Sequence, residues 1–275
     1  MIQPVSRRGF LRSAGLGALT AASAGALGTY STRWLECNEY TFRLPRWTRK
    51  GFRVGFLSDT HLVDDNAVKV AREAVEYAID AKPDVIVFGG DFVESSRGGS
   101  LGRMEDAFAP IRSCIIPCVA VLGNHDYAAS HPERVVAKVR DLGFELLRNE
   151  HHDVDGVTVF GLDCMTFNRT DPAKLVELDA RQDVLVVLHE PDGVDFVPDF
   201  ASLMLAGHSH GGQICLPAGI PITTPSLARK FKKGYYADAP VPLFVSRGVG
   251  ETGVRLRLFC RPEASILHLE PEGSA

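Results

Sequence analysis

Asp84-Val85-Ile86-Val87-Phe88-Gly89-Gly90-Asp91 is the stretch whose reading decides the fold. Four consecutive apolar residues form a short buried strand, which stops abruptly at two glycines and a carboxylate. In an open α/β sheet, ligands sit in the crevice beyond the carboxyl ends of the strands, and glycine there lets the backbone approach what is bound. Four other apolar runs end in the same way. Val54–Ser58 leads into Asp59-Thr60-His61, and Val119–Leu122 into Gly123-Asn124-His125-Asp126. Val184–Leu188 leads into His189-Glu190, and Leu203–Ala206 into Gly207-His208-Ser209-His210. Five strands are therefore expected to deliver carboxylate, amide and imidazole groups to one edge.

That edge has a direct chemical reading. A carboxylate placed between two mixed sets of nitrogen and oxygen donors can bridge two divalent ions about 3.5–4 Å apart. The ordered set Asp-x-His, Gly-Asp, Gly-Asn-His, His and Gly-His-x-His, over roughly residues 52 to 270, resembles the calcineurin-like metallophosphoesterase superfamily. The resemblance implies a four-layered α/β/β/α sandwich, two central mixed sheets flanked by helices. It assigns Asp59, His61, Asp91 and His210 to one metal ion, and Asp91, Asn124, His189 and His208 to the other. His125 is left as a catalytic residue without a metal. Manganese, iron and zinc all suit such mixed donors.

At 275 residues with 45% hydrophobic composition, the chain can bury a full core as one catalytic domain. A formal net charge of −4 offers no field for gripping a long nucleic-acid footprint. The six cysteines are scattered and read mostly as small buried residues; Cys114 and Cys118 could pair in an oxidising compartment.

Residues 1–30 carry Ser6-Arg7-Arg8-Gly9-Phe10-Leu11 and then an Ala/Gly/Leu run without an acidic residue, the pattern of a twin-arginine signal or retained anchor. The expected compartment is the periplasm or the outer face of the cytoplasmic membrane, reached through the twin-arginine export machinery. Residues 31–50 are expected to be a linker with an edge strand, a membrane-surface role for Trp34, Trp47 and the nearby arginines being the alternative. The catalytic domain is expected over 51–275. Within it, Asp65-Asn66 reads as the cap of a helix ending at Lys82-Pro83, and Ser95–Gly102 as a loop bordering the substrate. Pro132–Leu142 is a second helix closed by Gly143, and Arg255–Cys260 a late β run.

Taken singly, each motif is weak, since one histidine near a strand end is usually a surface or core residue. Together they point to chemistry, because this many carboxylates and imidazoles on one edge are costly to bury without cations. Two divalent ions would clamp a phosphate and activate water for attack on phosphorus. His125 would protonate the leaving oxygen, with Asp126 orienting it or lying solvated in a loop.

The arginine that protein phosphatases of the superfamily carry soon after Gly-Asp is displaced here to Arg97, which weakens a protein-phosphatase reading. The leader, Gly207-His208-Ser209-His210-Gly211-Gly212-Gln213 and Ser246-Arg247-Gly248-Val249-Gly250 resemble exported bacterial phosphodiesterases of the YaeI and YkuE type, some relatives of which cleave UDP-diacylglucosamine. The implied substrate is a phosphodiester or pyrophosphate, lipid-linked in the first instance. The Leu216–Pro225 loop and Arg229, Lys230, Lys232 and Lys233 are placed to wall the site. A phosphomonoesterase, a nucleotide phosphodiesterase and a metal-stabilised binding protein without turnover are the alternatives.

Overall fold

The computed structural model describes residues 32–94, 100–178 and 183–273. The leader, with Arg7 and Arg8, and Arg97 lie outside the described residues. Strand β3 (Val85–Phe88) runs parallel to β2 (Phe52–Leu57) on one side and β4 (Cys118–Ala120) on the other. Strand β5 (Glu145–Leu146) follows β4, and β14 (Glu263–Pro271) and β1 (Glu36–Leu44) complete a six-stranded sheet in the order β1-β14-β2-β3-β4-β5. A second six-stranded sheet runs β12 (Gly234–Tyr236), β13 (Leu243–Val245), β9 (Leu203–Ala206), β8 (Val184–Val187), β7 (Val157–Gly161), β6 (Glu150–Val154). Both are mixed. β14 is antiparallel to β2, and the outer pairs β6/β7 and β12/β13 are antiparallel.

Alternation along the strands builds the layers, because successive side chains leave a strand on opposite faces. Phe52, Val54 and Phe56 of β2 and Val85 and Val87 of β3 enter the core between the sheets, where they meet Val157, Val159, Leu185, Val187, Leu203 and Leu205. Leu57, Ile86 and Phe88 face the other way, onto helices. Helix α1 (Asp65–Asp80) buries Ala67, Val70, Ala71, Ala74, Val75 and Ala78, the one-sided spacing of an amphipathic crossover helix. Helix α2 (Ser100–Phe108) packs beside it and α4 (Pro132–Asp141) beside α2, while α3 (Asn124–Ala128) is a short turn at the end of β4. The outer face of the second sheet is covered by α5 (Pro172–Val176) and the 3-10 turn Pro191–Phe196. This is the α/β/β/α sandwich expected from the sequence.

Several local expectations shift. The cap of α1 is Asp64, one residue earlier than expected, because its carboxylate accepts the Ala67 amide at 2.9 Å. Ser100, Leu101 and Gly102 belong to α2, not to a loop. Arg255–Cys260 is no strand. Its pairing is a single bridge, Leu258 to Ile214, and the segment curls to bury the Arg257 guanidinium among the carbonyls of Arg247, Gly248 and Gly250. Residues 31–50 hold the edge strand expected there, since β1 is the outermost strand of its sheet. β1 pairs along its whole length with β14, and Phe42, Leu44 and Trp47 are buried between the sheets, so the packed unit begins before residue 51. The six cysteines are free thiols. Among the described residues no helix is long and apolar enough to cross a membrane.

Candidate metal centre

The carboxyl ends of β2, β3 and β4 in one sheet and of β8 and β9 in the other open onto the same edge. Asp59 and His61 follow β2, Asp91 follows β3, Asn124 and His125 open α3, and His189 and His208 follow β8 and β9. Five of these eight site residues with His210, namely Asp59, His61, Asp91, His208 and His210, have φ between 41° and 66°. Left-handed backbone at non-glycine residues costs about 1–3 kcal/mol each and persists only where the surroundings over-determine it. Here they do. The Asp59 amide donates to the Gly90 carbonyl, the His61 amide to the Asp91 carbonyl, and the His208 amide to the Asp59 carboxylate at 3.0 Å. Each sharp turn aims a side chain at the crevice.

The structure brings the expected aspartates and histidines together, with Asn124 opening α3 beside His125. His61 Nε2 and His210 Nε2 lie 3.0 Å apart, and His210 Nε2 is 3.4 Å from Asp59 Oδ1. Asp91 Oδ2 is 3.1 Å from His189 Nε2 and 3.5 Å from His61 Nε2. Donor atoms of Asp59, His61 and His210 converge, and so do those of Asp91, His189 and His208. The buried Asn124 Oδ1 has no hydrogen-bond partner, the condition of a donor awaiting an electrophile. The outward-facing nitrogens are held from behind. His189 Nδ1 lies 2.7 Å from the Gly89 carbonyl, and His208 Nε2 2.7 Å from that of Ser226. Such outer contacts fix the ring and leave the other nitrogen for a metal.

Electrostatics agree with this donor set. Burial would raise the Asp91 carboxyl, but His189, His61 and His125 hold it well below the usual carboxylate range. Burial, reinforced by His61 and Arg257, keeps His210 well below the ordinary imidazole value, hence neutral as a ligand must be.

His125 stands at the rim, its side chain 22% exposed, with Nδ1 3.0 Å from Glu94 Oε1. Glu94 was not anticipated. It follows Asp91 by three residues and is buried between His125 and His61, whose Nδ1 is 3.4 Å from Oε2, while Thr252 donates to it at 2.9 Å. Its only sequence signal was that proximity to Asp91. Asp126 has neither role expected of it. It is fully buried and accepts the amides of Asp91, Val93 and Gly123, so it braces the loop backbone and does not orient the His125 ring. Burial and the neighbouring Asp91 push its pKa up to about 7.

A cavity of about 360 Å³ opens beside His210, walled by Ile214, Thr223, Pro225, Thr252 and Val254. The Leu216–Pro225 loop thus borders the site through its end. The basic run lies farther out, with Lys230 paired to Asp195 and Lys233 bonded to the Gly219 carbonyl.

The sequence pattern of the calcineurin-like phosphoesterase family matches residues 52–212, over half of the chain. The chain belongs to the calcineurin-like phosphoesterase family. Members are metal-dependent phosphoric ester hydrolases, and this metallophosphoesterase has the clustered donors that such chemistry needs. It is 30% identical to the uncharacterized metallophosphoesterase YkuE of Bacillus subtilis, across 98% of this chain and 99% of that protein. It is 27% identical to phosphodiesterase YaeI of Escherichia coli, across 96% and 99%. Against the UDP-2,3-diacylglucosamine pyrophosphatase LpxG of Chlamydia muridarum it is 24% identical, across 85% and 88%.

Proposed function

We propose that this metallophosphoesterase cleaves a phosphodiester or pyrophosphate of the cell envelope, with a lipid-linked headgroup as the first substrate class. Two divalent ions would be held by Asp59, His61, Asp91 and His210 and by Asp91, Asn124, His189 and His208. The observation that carries the two-ion reading is the position of Asp91 Oδ2, within 3.5 Å of a histidine nitrogen from each set. Ions held there supply Lewis acidity to phosphoryl oxygens and lower the pKa of bound water.

The chain's own residues do the rest. Asp59 and Asp91 place carboxylate groups at the crevice, and Asp126 braces the loop backbone behind Asp91 through three amides. Glu94 on Nδ1 turns the His125 ring so that Nε2 reaches the open side, 3.5 Å from Thr252 Oγ1. From there His125 can give a proton to the leaving oxygen, a contribution typically worth 10²–10⁴-fold.

A diester or pyrophosphate is favoured over a monoester by two observations. The relatives just named include a phosphodiesterase and a pyrophosphatase. The cavity beside His210 also offers apolar walls to a second substituent on phosphorus. The Arg7-Arg8 pair and the acid-free apolar run behind it support export by the twin-arginine route. The test is a screen of the metal-loaded protein against envelope lipids, nucleotides, phosphopeptides and matched chromogenic mono- and diesters. Faster turnover of diesters than of matching monoesters is expected. A clear monoester preference would refute the diester reading, and no turnover with any divalent ion would favour a binding protein.

A further inference from the structure

Eleven large hydrophobic side chains are exposed among the described residues, and five of them, Leu216, Ile220, Ile222, Val254 and Phe259, come from two adjoining segments. Strands β10 (Cys215–Leu216) and β11 (Ile220–Pro221) form a small hairpin in which Leu216 pairs with Ile220. The Cys215 amide bonds the Leu258 carbonyl, the Ile222 amide bonds the Ile214 carbonyl, and a Cβ on Gly219 would lie 3.3 Å from the Phe259 carbonyl. Hairpin and loop therefore make one surface. Val254 and Ile214 carry it to the cavity beside His210, so it borders the mouth of the metal centre.

Two further observations separate this surface from scattered surface leucines. Phe259 is 55% exposed although its φ is 52°, an arrangement that gains little from packing and is unusual for a bulky residue. The surrounding sequence is also cationic only. No Asp or Glu occurs from Gly207 to Ala237 or from Thr252 to Pro262, in a chain whose net charge is −4. Arg229, Lys230, Lys232 and Lys233 lie in the first segment and Arg255 and Arg261 in the second. Lys230, Arg255 and Arg261 are paired with carboxylates, whereas Lys233 bonds the Gly219 carbonyl at the hairpin turn itself. Arg229 and Lys232 make no ion pair among the described residues.

We infer that the β10–β11 hairpin and the 252–259 loop dock this face on an anionic lipid bilayer, the apolar tips entering the acyl boundary and the cations meeting headgroup phosphates. Apolar side chains with cations close in sequence bind an interface by both effects at once. The arrangement turns the crevice of Asp59, Asp91 and His210 toward the membrane. It shares with the proposed function the premise of a membrane-borne substrate, but requires no turnover.

Position-resolved quenching tests it in the full-length chain. Phe259→Trp, and Ile220→Trp as a second probe, are compared with Ile115→Trp, whose site is 99% exposed just ahead of β4, at the end of the strands away from the crevice. The signal of Trp34 and Trp47 in the parent chain is subtracted. With vesicles of phosphatidylcholine and phosphatidylglycerol bearing brominated acyl chains, quenching in F259W and I220W should exceed that in I115W at least about twofold, rise with the anionic lipid fraction and fall with salt. Equal quenching at all three positions would overturn the inference, since attachment through the leader alone selects no face. An emission change that follows protein concentration without vesicles would overturn it in favour of a second copy of this chain. Failure to hydrolyse a soluble diester would remove the functional reading and leave this one standing.

Discussion

His125 and Asp91 are joined by a 2.8 Å hydrogen bond from the His125 amide to Asp91 Oδ1, yet their side chains are expected to fail differently. His125→Ala should keep both metal ions while hydrolysis of a chromogenic diester falls at least about 100-fold, because an acid is lost and no ligand is. Unchanged turnover with the metals intact would remove His125 from the reaction. Glu94→Gln should behave otherwise. It contacts the outer nitrogens of both His61 and His125, so turnover and metal affinity should both fall, each by about 10–100-fold. A titration of metal content beside the turnover assay separates the two variants, and an effect on turnover alone would show that Glu94 serves only the acid. In the proposed two-ion arrangement Asp91→Ala should release both ions and Asp59→Ala mainly one, since Asp91 alone would belong to both donor sets. Elemental analysis of purified protein decides this, and equal loss in the two variants would contradict a bridging Asp91.

At the scale of elements, the ends of β3 and β4 meet so closely that only glycine fits. A Cβ at Gly123 would overlap the Asp91 carboxylate, and one at Gly90, whose φ is +93°, would lie 2.6 Å from the Gly123 amide nitrogen. Gly123 itself has ordinary backbone, φ −101°, so Gly123→Ala introduces a steric conflict without backbone strain. The expected cost is about 1–3 kcal/mol of stability with a drop in metal content, as Asp91 is pushed off its position. Thermal melting and elemental analysis check it; a variant with full metal content would show that the loop gives way instead. Behind this contact, Phe92 stacks on Phe88 at 3.9 Å between centroids and meets Phe108 edge-on, anchoring the chain on both sides of Asp91 in the helix-facing core.

The whole molecule combines a metal centre at one edge with a leader pattern that points to export. If the proposed twin-arginine route holds, replacing Arg7-Arg8 by two lysines should strand the protein in the cytoplasm, because such a pair is read by a receptor and is more than positive charge. Fractionation showing normal export of that variant would refute the twin-arginine route. The mass of the exported form, compared with that of the full chain, distinguishes a cleaved leader from a retained anchor.

Local grammar made much of this legible in the sequence. Apolar runs ending in glycine, carboxylate and imidazole identify strands and the edge they share, since both features belong to consecutive residues. The same grammar placed α4 between Pro132 and Gly143 and marked Asp59, His61, Asp91, Asn124, His125, His189, His208 and His210 as one set. What consecutive residues do not carry is who stands behind whom. Glu94 became part of the site only because left-handed turns at His61 and Asp91 fold their loops onto each other across 30 residues of chain. Asp126 became a brace for three amides, and Arg257 was turned from a strand position into a carbonyl cage. Likewise β1 was drawn into the core by pairing with β14, more than 200 residues away. The donor types and their order were set by sequence. Their convergence, and the buried groups that hold them there, depend on long-range burial and hydrogen bonding, which only the packed sheets decide.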